Sequence, residues 1–254
     1  MFYLDYLAYN NALRQVSVTE KMVLGGGTLA VALCFPQPVT LLSIILLMHA
    51  VMLYARIPVR YILQLWLIPL GFLVAGLVSV LLSFSTQPFS AWFLLSIGTL
   101  YIGITLEDVF RVQGLLLRSM ASLSCLFMLA TTTPVAYITA IFSRFSPLRV
   151  VMEIALLTYR FIFVFHEALA QIYMAQQSRL GYSGMTQSLY SLGLLAANVG
   201  RKSFVTSHEL YIALLARNYS NQLIFQYARQ PVNFYRLLVI LGLLAGLIGT
   251  AAIR

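Results

Sequence analysis

Two arginines, each at the end of a long amphipathic segment, are the side chains in this sequence best suited to bind another molecule. Arg179 lies in Ser178-Arg179-Leu180-Gly181-Tyr182, and Arg217 lies in Ala216-Arg217-Asn218-Tyr219. A guanidinium carries five N–H donors in a planar fork that fits carboxylates and carbonyl groups. The two arginines therefore indicate a function in binding, through carboxylates or carbonyl groups on the surface of another molecule.

The residues before each arginine are small and helical in spacing. Arg179 follows Ala175 by four positions and Arg217 follows Ala213 by four, so each arginine extends the stripe of its own helix. A positive side chain also stabilises a helix C-terminus, and Gly181 is expected to stop the first helix. Spacing alone leaves two interpretations open: the arginines dock on a partner, or they cap helices beside lipid headgroups.

Motifs for nucleotide binding or covalent catalysis are absent from the sequence. Gly200-Arg201-Lys202-Ser203 looks like the end of a phosphate-binding loop, but its upstream glycine is misplaced and it lies inside a helical pattern. Metalloprotease and nucleophile-elbow motifs are also missing. We therefore assign no catalytic residue and no cofactor to this chain.

The histidines and acidic residues offer only weak alternatives. His49, His166 and His208 lie in different segments, and none is three or four positions from another, so no metal site is predicted. Glu107 and Asp108 are adjacent and face different sides of a helix. We interpret them as a salt-bridge cluster with Arg111 and Arg118 in preference to a proton relay.

Composition places the chain in a membrane. Hydrophobic residues make up 61% and charged residues 9%, whereas about a quarter of a soluble domain is charged. The 16 Lys and Arg exceed the 7 Asp and Glu, as expected when cytoplasmic loops are basic. The basic residues are interleaved with apolar runs, which argues against nucleic-acid binding. Membrane lipids or an acidic partner could meet this charge. Cys34 and Cys125 are interpreted as buried small hydrophobes.

The apolar runs predict an all-α integral membrane protein, a bundle of about five to six membrane-spanning helices of roughly 20 residues each. Residues 1–21, which include Arg14 and Lys21, are predicted to be cytoplasmic. If both 92–106 and 115–131 crossed fully, the later basic segments would lie outside, so one of the two is expected to be tilted, partial or interfacial. The predicted spans are Met22–Phe35, Val39–Tyr54, Tyr61–Ser83, Trp92–Leu106, Leu115–Thr131 and Leu237–Ile253.

Two further long helices are predicted to lie on the membrane surface. Residues 149–182 and 189–217 both place apolar side chains at the i, i+3, i+4, i+7 spacing of one helical face, with charges largely off that face.

The order of several segments resembles the transmembrane Q subunit of cobalt importers of the energy-coupling-factor type, a branch of the ATP-binding-cassette importers. The likeness covers essentially the whole chain and includes both arginine motifs. The other segments that carry it are Asp5-Tyr6-Leu7-Ala8-Tyr9-Asn10, Leu13-Arg14-Gln15-Val16-Ser17-Val18-Thr19-Glu20-Lys21, Ala55-Arg56-Ile57-Pro58 and Ile68-Pro69-Leu70-Gly71-Phe72.

The resemblance implies four regions: a cytoplasmic N-terminal segment (1–21), transmembrane helices (22–133), a cytoplasmic coupling domain (134–231) and a C-terminal transmembrane helix (232–254). In that family, Ala-Arg-small motifs at the ends of long helices insert into grooves of two ATPase subunits. Here Leu180 stands where a small residue is usual. The ATPase-coupling residues that the resemblance implies are Ala175, Ser178 (in place of Ala), Arg179, Gly181, Ala216, Arg217 and Asn218 (in place of Gly).

The implied partners are an ATP-binding-cassette ATPase dimer, a membrane subunit that captures Co²⁺ and a small accessory membrane subunit, in the inner membrane of a bacterial cell. This chain would be a multi-pass scaffold that transmits ATP-driven motion, with hydrolysis in the partner. Three alternatives stay open. They are an equivalent subunit for nickel or a vitamin, an intramembrane enzyme that uses Glu107, Asp108 and His166, and a lipid-binding structural protein.

Overall fold

A computed structural model describes residues 3–81, 83–85, 93–97, 100–218 and 230–252. The chain divides into two units. Residues 2–134 and 229–254 form one, which we call the membrane unit, and residues 135–228 form the other, which we call the long-helix unit.

The membrane unit is built mainly from helices. Pro38 begins α3, a position where proline's missing N–H is harmless. Thr105 begins α5 through a capping box: Asp108 N donates to Thr105 Oγ1 at 3.2 Å, and Thr105 N donates to Asp108 Oδ2 at 3.1 Å. The helices are α1 (Tyr3–Tyr9), α2 (Val18–Cys34), α3 (Pro38–Tyr54), α4 (Val59–Leu81), α5 (Leu106–Thr132) and α9 (Phe234–Ala252), with a 3₁₀ turn at Ala12–Gln15.

Three short strands interrupt this helical pattern. They are β1 (Ser83–Ser85), β2 (Phe93–Ile97) and β3 (Leu100–Ile104), in the order β1-β3-β2. Both pairings are antiparallel, with Ser83 opposite Gly103 and Phe93 opposite Ile104. A short apolar run rich in aromatic and β-branched residues fits a strand as well as a helix. The expectation of a helical span at 92–106 is therefore wrong for these strands, while Trp92 itself lies outside the described residues.

The predicted all-α membrane fold is confirmed for the remainder of the described chain. Three helices are long and apolar enough to cross a membrane, namely Val59–Leu81, Leu106–Thr132 and Phe234–Ala251, and Pro38–Tyr54 is a shorter apolar helix. The third predicted span ends at Leu81 and not Ser83, because Ser83 enters the sheet. Side chains such as Phe72, 82% exposed on α4, face outward, as lipid or a membrane partner requires.

The core of the membrane unit lies where α2, α3 and α5 meet. Met48 and Met52 are fully buried on α3, one helical turn apart, and they share the core with Cys125 of α5. Thr28 Oγ1 of α2 lies 3.4 Å from Cys125 Sγ. Both thiols are free: the prediction of a buried cysteine is confirmed for Cys125 and wrong for Cys34, which is exposed.

Two adjacent residues of α2 tie distant parts of the membrane unit together. Lys21 Nζ donates to the Thr132 carbonyl at the end of α5, at 2.8 Å. The Glu20 carboxylate accepts from the backbone N–H of Asn233, just before α9, at 2.7 Å. Both side chains are buried. Burial of polar groups is tolerated when they are hydrogen-bonded. These bonds connect the first turn of α2 to the end of α5 and to the residue before α9, while Glu20 Oε2 has no partner among the described residues.

The long-helix unit consists of α6 (Val135–Phe142), a 3₁₀ turn (Ser146–Leu148), α7 (Arg149–Ser178) and α8 (Met185–Ala216). With 30 and 32 residues, α7 and α8 extend about 45 Å each. Their described residues are mostly exposed, and Met185 and Phe204 are more than four-fifths exposed. The helices therefore leave large apolar surfaces for something outside the unit to cover. The buried residues of α7 and α8 are Leu156, Ala168, Ser191 and Leu195.

Candidate functional site

The ends of α7 and α8 have the same backbone geometry. Arg179 caps α7 with φ −96° and ψ 16°, and Arg217 caps α8 with φ −97° and ψ 18°. The next residue is left-handed in both cases, with φ 58° at Leu180 and at Asn218. Each donates its N–H three residues back, Leu180 to Gln177 O and Asn218 to Leu215 O, both at 3.0 Å. The two arginines are thus presented by one repeated local structure.

This geometry explains why a small residue suits the position after each arginine. A left-handed residue closes many helices, and glycine fills the position most easily because it has no Cβ. Asn tolerates the left-handed region better than other non-glycine residues, whereas Leu is strained there by about 1–2 kcal/mol. Leu180 and Asn218 therefore adopt the left-handed conformation although both carry a Cβ.

Gly181 has a different role from the helix stop that the sequence predicted, because Leu180 is the left-handed residue. The Gly181 N–H donates to Gln176 O at 2.9 Å, which completes a Schellman cap. A Cβ at position 181 would lie 2.9 Å from Gln176 O and 2.8 Å from Ser191 Oγ. Glycine is needed here for close approach and not for its dihedral angles.

The arginines at both helix ends lie on the surface of the long-helix unit. Arg179 and Arg217 are exposed, as are Ala175, Ala216 and Asn218. Neither guanidinium group has an ion-pair or hydrogen-bond partner within the described ranges. A cation with no internal partner is free to meet an external carboxylate or carbonyl.

Ser178 is the last residue of α7, and its side chain is hydrogen-bonded within that helix. Its Oγ donates to the Met174 carbonyl one turn back, at 2.9 Å. A serine hydroxyl bonded in this way stays within its own helix. Ser178 can therefore stand in the place of the motif's alanine without presenting a free polar group.

Three side chains hold the end of α7 against α8, and we call them the α7 brace: Gln176, Tyr182 and Ser191. Gln176 Nε2 donates to the Ser191 carbonyl at 3.1 Å, and Tyr182 Oη donates to Gln176 Oε1 at 2.8 Å. Ser191 Oγ donates to the Gly181 carbonyl at 2.7 Å. Ser191 is 6% exposed. In the sequence, the signal for this brace is a serine at position 191 among apolar residues of a helix. That signal could not be interpreted without knowing which residues lie beside Ser191.

The end of α8 differs in its surroundings. Up to Asn218, where the described part of α8's connection stops, no side-chain hydrogen bond comparable to the α7 brace is present. Tyr219 of the second motif lies outside the described residues. The Arg217 end is therefore defined by its backbone cap alone as far as the structure describes it.

A groove of about 550 Å³ runs between α7 and α8. Three cations line it, Arg179, Arg201 and Lys202, and none of its described lining residues is acidic. Gln171, Gln176 and Asn198 contribute amides. Apolar side chains form the rest of the wall: Ala168, Ile172, Ala175, Leu194 and Val205. Because Gly200-Arg201-Lys202-Ser203 lies inside α8, it is not a phosphate-binding loop.

The acidic residues and arginines around the start of α5 do not form the single cluster that was predicted. Glu107 pairs with Arg111 at 3.7 Å on the surface, while Asp108 belongs to the α5 capping box. The Arg118 guanidinium donates instead to the Leu33 carbonyl at the end of α2. Adjacent side chains on a helix diverge, so these groups serve separate local contacts.

His49 is a hydrogen-bonded packing residue. Its Nδ1 lies 2.8 Å from the Ile45 carbonyl, and its Nε2 accepts from Trp66 Nε1 at 3.1 Å. The two rings stack with centroids 5.7 Å apart. Both ring nitrogens are therefore occupied. Over the described part of the chain, no three His, Cys, Asp or Glu side chains come together as a metal site.

Comparisons with known proteins agree with this architecture. Residues 9–227 match the family described as cobalt transport protein, CbiQ. The cobalt transport protein CbiQ of Rhodobacter capsulatus is 30% identical over 221 residues, which cover 87% of this chain and 85% of the relative. The protein of the same name from Salmonella typhimurium is 27% identical over 193 residues, 76% of this chain and 86% of the relative.

A longer relative carries the same region as part of a fusion. The fused cobalt transport protein CbiMQ of Methanocorpusculum labreanum is 26% identical over 217 residues, which are 85% of this chain and 36% of that protein. The similarity thus extends across both units described above, with apolar helices suited to a membrane and a pair of long helices ending in matched arginine caps. This chain belongs to the CbiQ family of cobalt transport proteins and is a membrane component of such transport.

Proposed function

We propose that this chain is the transmembrane scaffold and coupling subunit of an energy-coupling-factor importer for cobalt ions, and that Arg179 and Arg217 are its contacts with two ATPase subunits. The observation that carries the proposal is the pair of exposed arginines on helix caps whose dihedral angles match. A repeated structure with a free cation at each tip suits a partner that offers the same kind of pocket twice.

The long helices suit the transmission of motion. At about 45 Å, α7 and α8 are long enough to carry a displacement from their tips over a substantial distance. When the two ATPase subunits close on ATP, the α7 and α8 tips would move relative to each other. The displacement would pass through the apolar faces of the helices toward the membrane helices and the captured ion. Hydrolysis takes place in the partner, and this chain contributes positioning and force.

The membrane partners follow from the same assignment. A subunit that captures Co²⁺ would pack against the exposed apolar surface of the membrane unit, to which α4 contributes Ile68 and Phe72, both at least 80% exposed. The fused relative supports such a partner, because the name CbiMQ describes a fusion of the Q-type region with a second cobalt transport part in one chain. A small accessory membrane subunit would complete the assembly, with the whole complex embedded as a multi-pass unit in the inner membrane of the bacterial cell.

The test compares Arg179→Ala and Arg217→Ala with Arg160→Ala, an exposed arginine elsewhere on α7 that serves as a matched control. Truncating one partner of a desolvated charge contact costs about 2–5 kcal/mol, or roughly 30-fold or more in affinity. Co-purification of the ATPase should fall in the first two variants and stay normal in the control. Unchanged assembly and unchanged Co²⁺ uptake in both tip variants would reject the proposal.

Uptake assays with the neighbouring subunits identify the substrate. Reconstituted complex is supplied separately with labelled Co²⁺, Ni²⁺ and vitamin substrates, and ATP-dependent accumulation is measured. Selective accumulation of Co²⁺ is expected. Selective uptake of Ni²⁺ or a vitamin would keep the coupling role and overturn the substrate.

A further inference from the structure

The groove between α7 and α8 combines charge and apolar surface in a way that the coupling role of the arginine tips does not require. Arg201 and Lys202 lie on α8 well before its C-terminal cap at Arg217, and they share the groove with Arg179. All three cations are exposed, and no described lining residue is acidic. A groove that concentrates positive charge without internal compensation favours an anionic occupant.

The cations lie at opposite ends of the groove. Ser191 contacts Gln176 and Gly181 next to Arg179, which fixes the level of Arg179 along α8. From Ser191 to Arg201 the axis of α8 rises by about 15 Å. Apolar side chains lie between the two charged ends, among them Leu194, which is 41% exposed, whereas Val205, 49% exposed, lines the groove one helical turn beyond Arg201.

This pattern matches the face of an amphipathic helix better than a single headgroup. A phosphate is one anionic centre and would meet only one end of the groove at a time. A helix of about three turns spans 15 Å and can place carboxylates near both ends with apolar side chains between them. The Gln171 and Asn198 amides in the walls can also bond polar groups along such a segment.

We propose that this groove receives an acidic amphipathic helix of the ATPase partner, which lies lengthwise with carboxylates at both ends, one toward Arg179 and one toward Arg201 and Lys202. The inference rests on the proposed function and extends it, because it adds a second anchoring point distant from the helix tips. Arg179 would then serve both the tip and the groove, whereas Arg201 and Lys202 serve the groove alone.

The first experiment removes the charge at the end of the groove that lies away from the tip. Arg201→Gln combined with Lys202→Gln should weaken ATPase binding to the complete complex by about tenfold and reduce its dependence on salt, since surface charges are screened by ions. Arg149→Gln combined with Arg160→Gln removes two charges from the same unit outside the groove and should leave binding unchanged. Retention of the capture subunit and a normal gel-filtration profile verify folding in each variant.

The second experiment identifies the occupant. A photo-crosslinking amino acid at Val205, in the purified complex with its ATPase, should capture an ATPase peptide that contains at least two Asp or Glu residues. Capture of phospholipid, of a second copy of this chain, or of no ATPase peptide would overturn the inference, and so would unchanged affinity in the Arg201→Gln, Lys202→Gln variant.

Failure of this inference is distinguishable from failure of the coupling role. If Arg217→Ala releases the ATPase while the groove variant does not, the coupling role stands and the groove proposal is rejected. If Arg179→Ala, Arg217→Ala and the groove variant all bind the ATPase as tightly as the unmodified protein does, both the coupling role and the groove proposal are rejected.

Discussion

The ends of α7 and α8 share a backbone cap and differ in what supports it. At Arg179 the cap is fastened to the neighbouring helix by the α7 brace, whereas the described residues at Arg217 show the cap alone. The side-chain hydrogen bonds at the α7 end fix the backbone position of Arg179 in the absence of a partner. Such preorganisation lowers the entropy lost on binding. Within the described residues Arg179 is therefore the more firmly positioned arginine, and the proposed ATPase would meet it with less ordering at that end of the unit.

The largest effect on this comparison is expected from Gly181→Ala. The added Cβ would come within 2.9 Å of the Gln176 carbonyl and 2.8 Å of Ser191 Oγ, and overpacking of this kind costs about 1–3 kcal/mol. Backbone amides near residues 180–191 should exchange roughly 30-fold faster, by hydrogen exchange and mass spectrometry of the protein in lipid discs. Amides at the end of α8 should be unaffected.

Gly193→Ala is the control for this change, because a Cβ there meets nothing within 4 Å. In a helix interior the replacement should be neutral or stabilising by up to about 1 kcal/mol. Equal exchange in Gly181→Ala and Gly193→Ala would show that the α7 end is not closely packed on α8.

An intermediate effect is expected from Ser191→Ala, which removes the bond to the Gly181 carbonyl. One hydrogen bond contributes about 1 kcal/mol, or roughly fivefold in opening of the α7 end. Tyr182→Phe deletes only the hydroxyl that donates to Gln176 and keeps the ring, whose centroid lies 4.8 Å from that of Tyr173. Both variants should raise exchange at the end of α7 selectively. A uniform rise across α7 and α8 would mean that the brace supports the whole unit and does not distinguish the tips.

Effects of similar or smaller size distinguish the two left-handed residues, Leu180 and Asn218. Leu180→Gly should stabilise the α7 cap by about 1 kcal/mol, because relief of left-handed strain exceeds the added freedom of glycine in the unfolded chain. Leu180 is 72% exposed, so little packing is lost. Asn218→Gly should change the α8 cap by about 0.5 kcal/mol or less, since Asn tolerates this conformation. Exchange at the last turn of each helix measures both, and equal gains would contradict the assigned strain.

Much of the fold follows from sequence, and the reasons are visible in particular elements. The long helices α7 and α8 carry an apolar period sustained over several turns, and such a signal is strong. The stretch that contains β2 and β3 is short and mostly apolar, so periodicity cannot separate a strand from a helix. Cys34 also lies in an apolar run, yet it is exposed because it falls at the end of α2.

The candidate site was only partly accessible to sequence reasoning. The helix ends at Arg179 and Arg217 could be placed from their small neighbours and apolar stripes. The left-handed backbone at Leu180 could not, because leucine is disfavoured there and Gly181 next to it is the obvious alternative. The α7 brace joins Gln176 to Ser191, residues on different helices, and such a pairing depends on how the helices pack.

The adjacent residues Glu20 and Lys21 have one more consequence. The chain passes into residues 135–228 just after Thr132, which Lys21 holds, and returns just before Asn233, which Glu20 holds. The two connections to the inserted segment are therefore hydrogen-bonded to the same helical turn. A force that acts on either connection is resisted by the first turn of α2, so this turn is a common anchor for the chain where it leaves the membrane unit and where it returns.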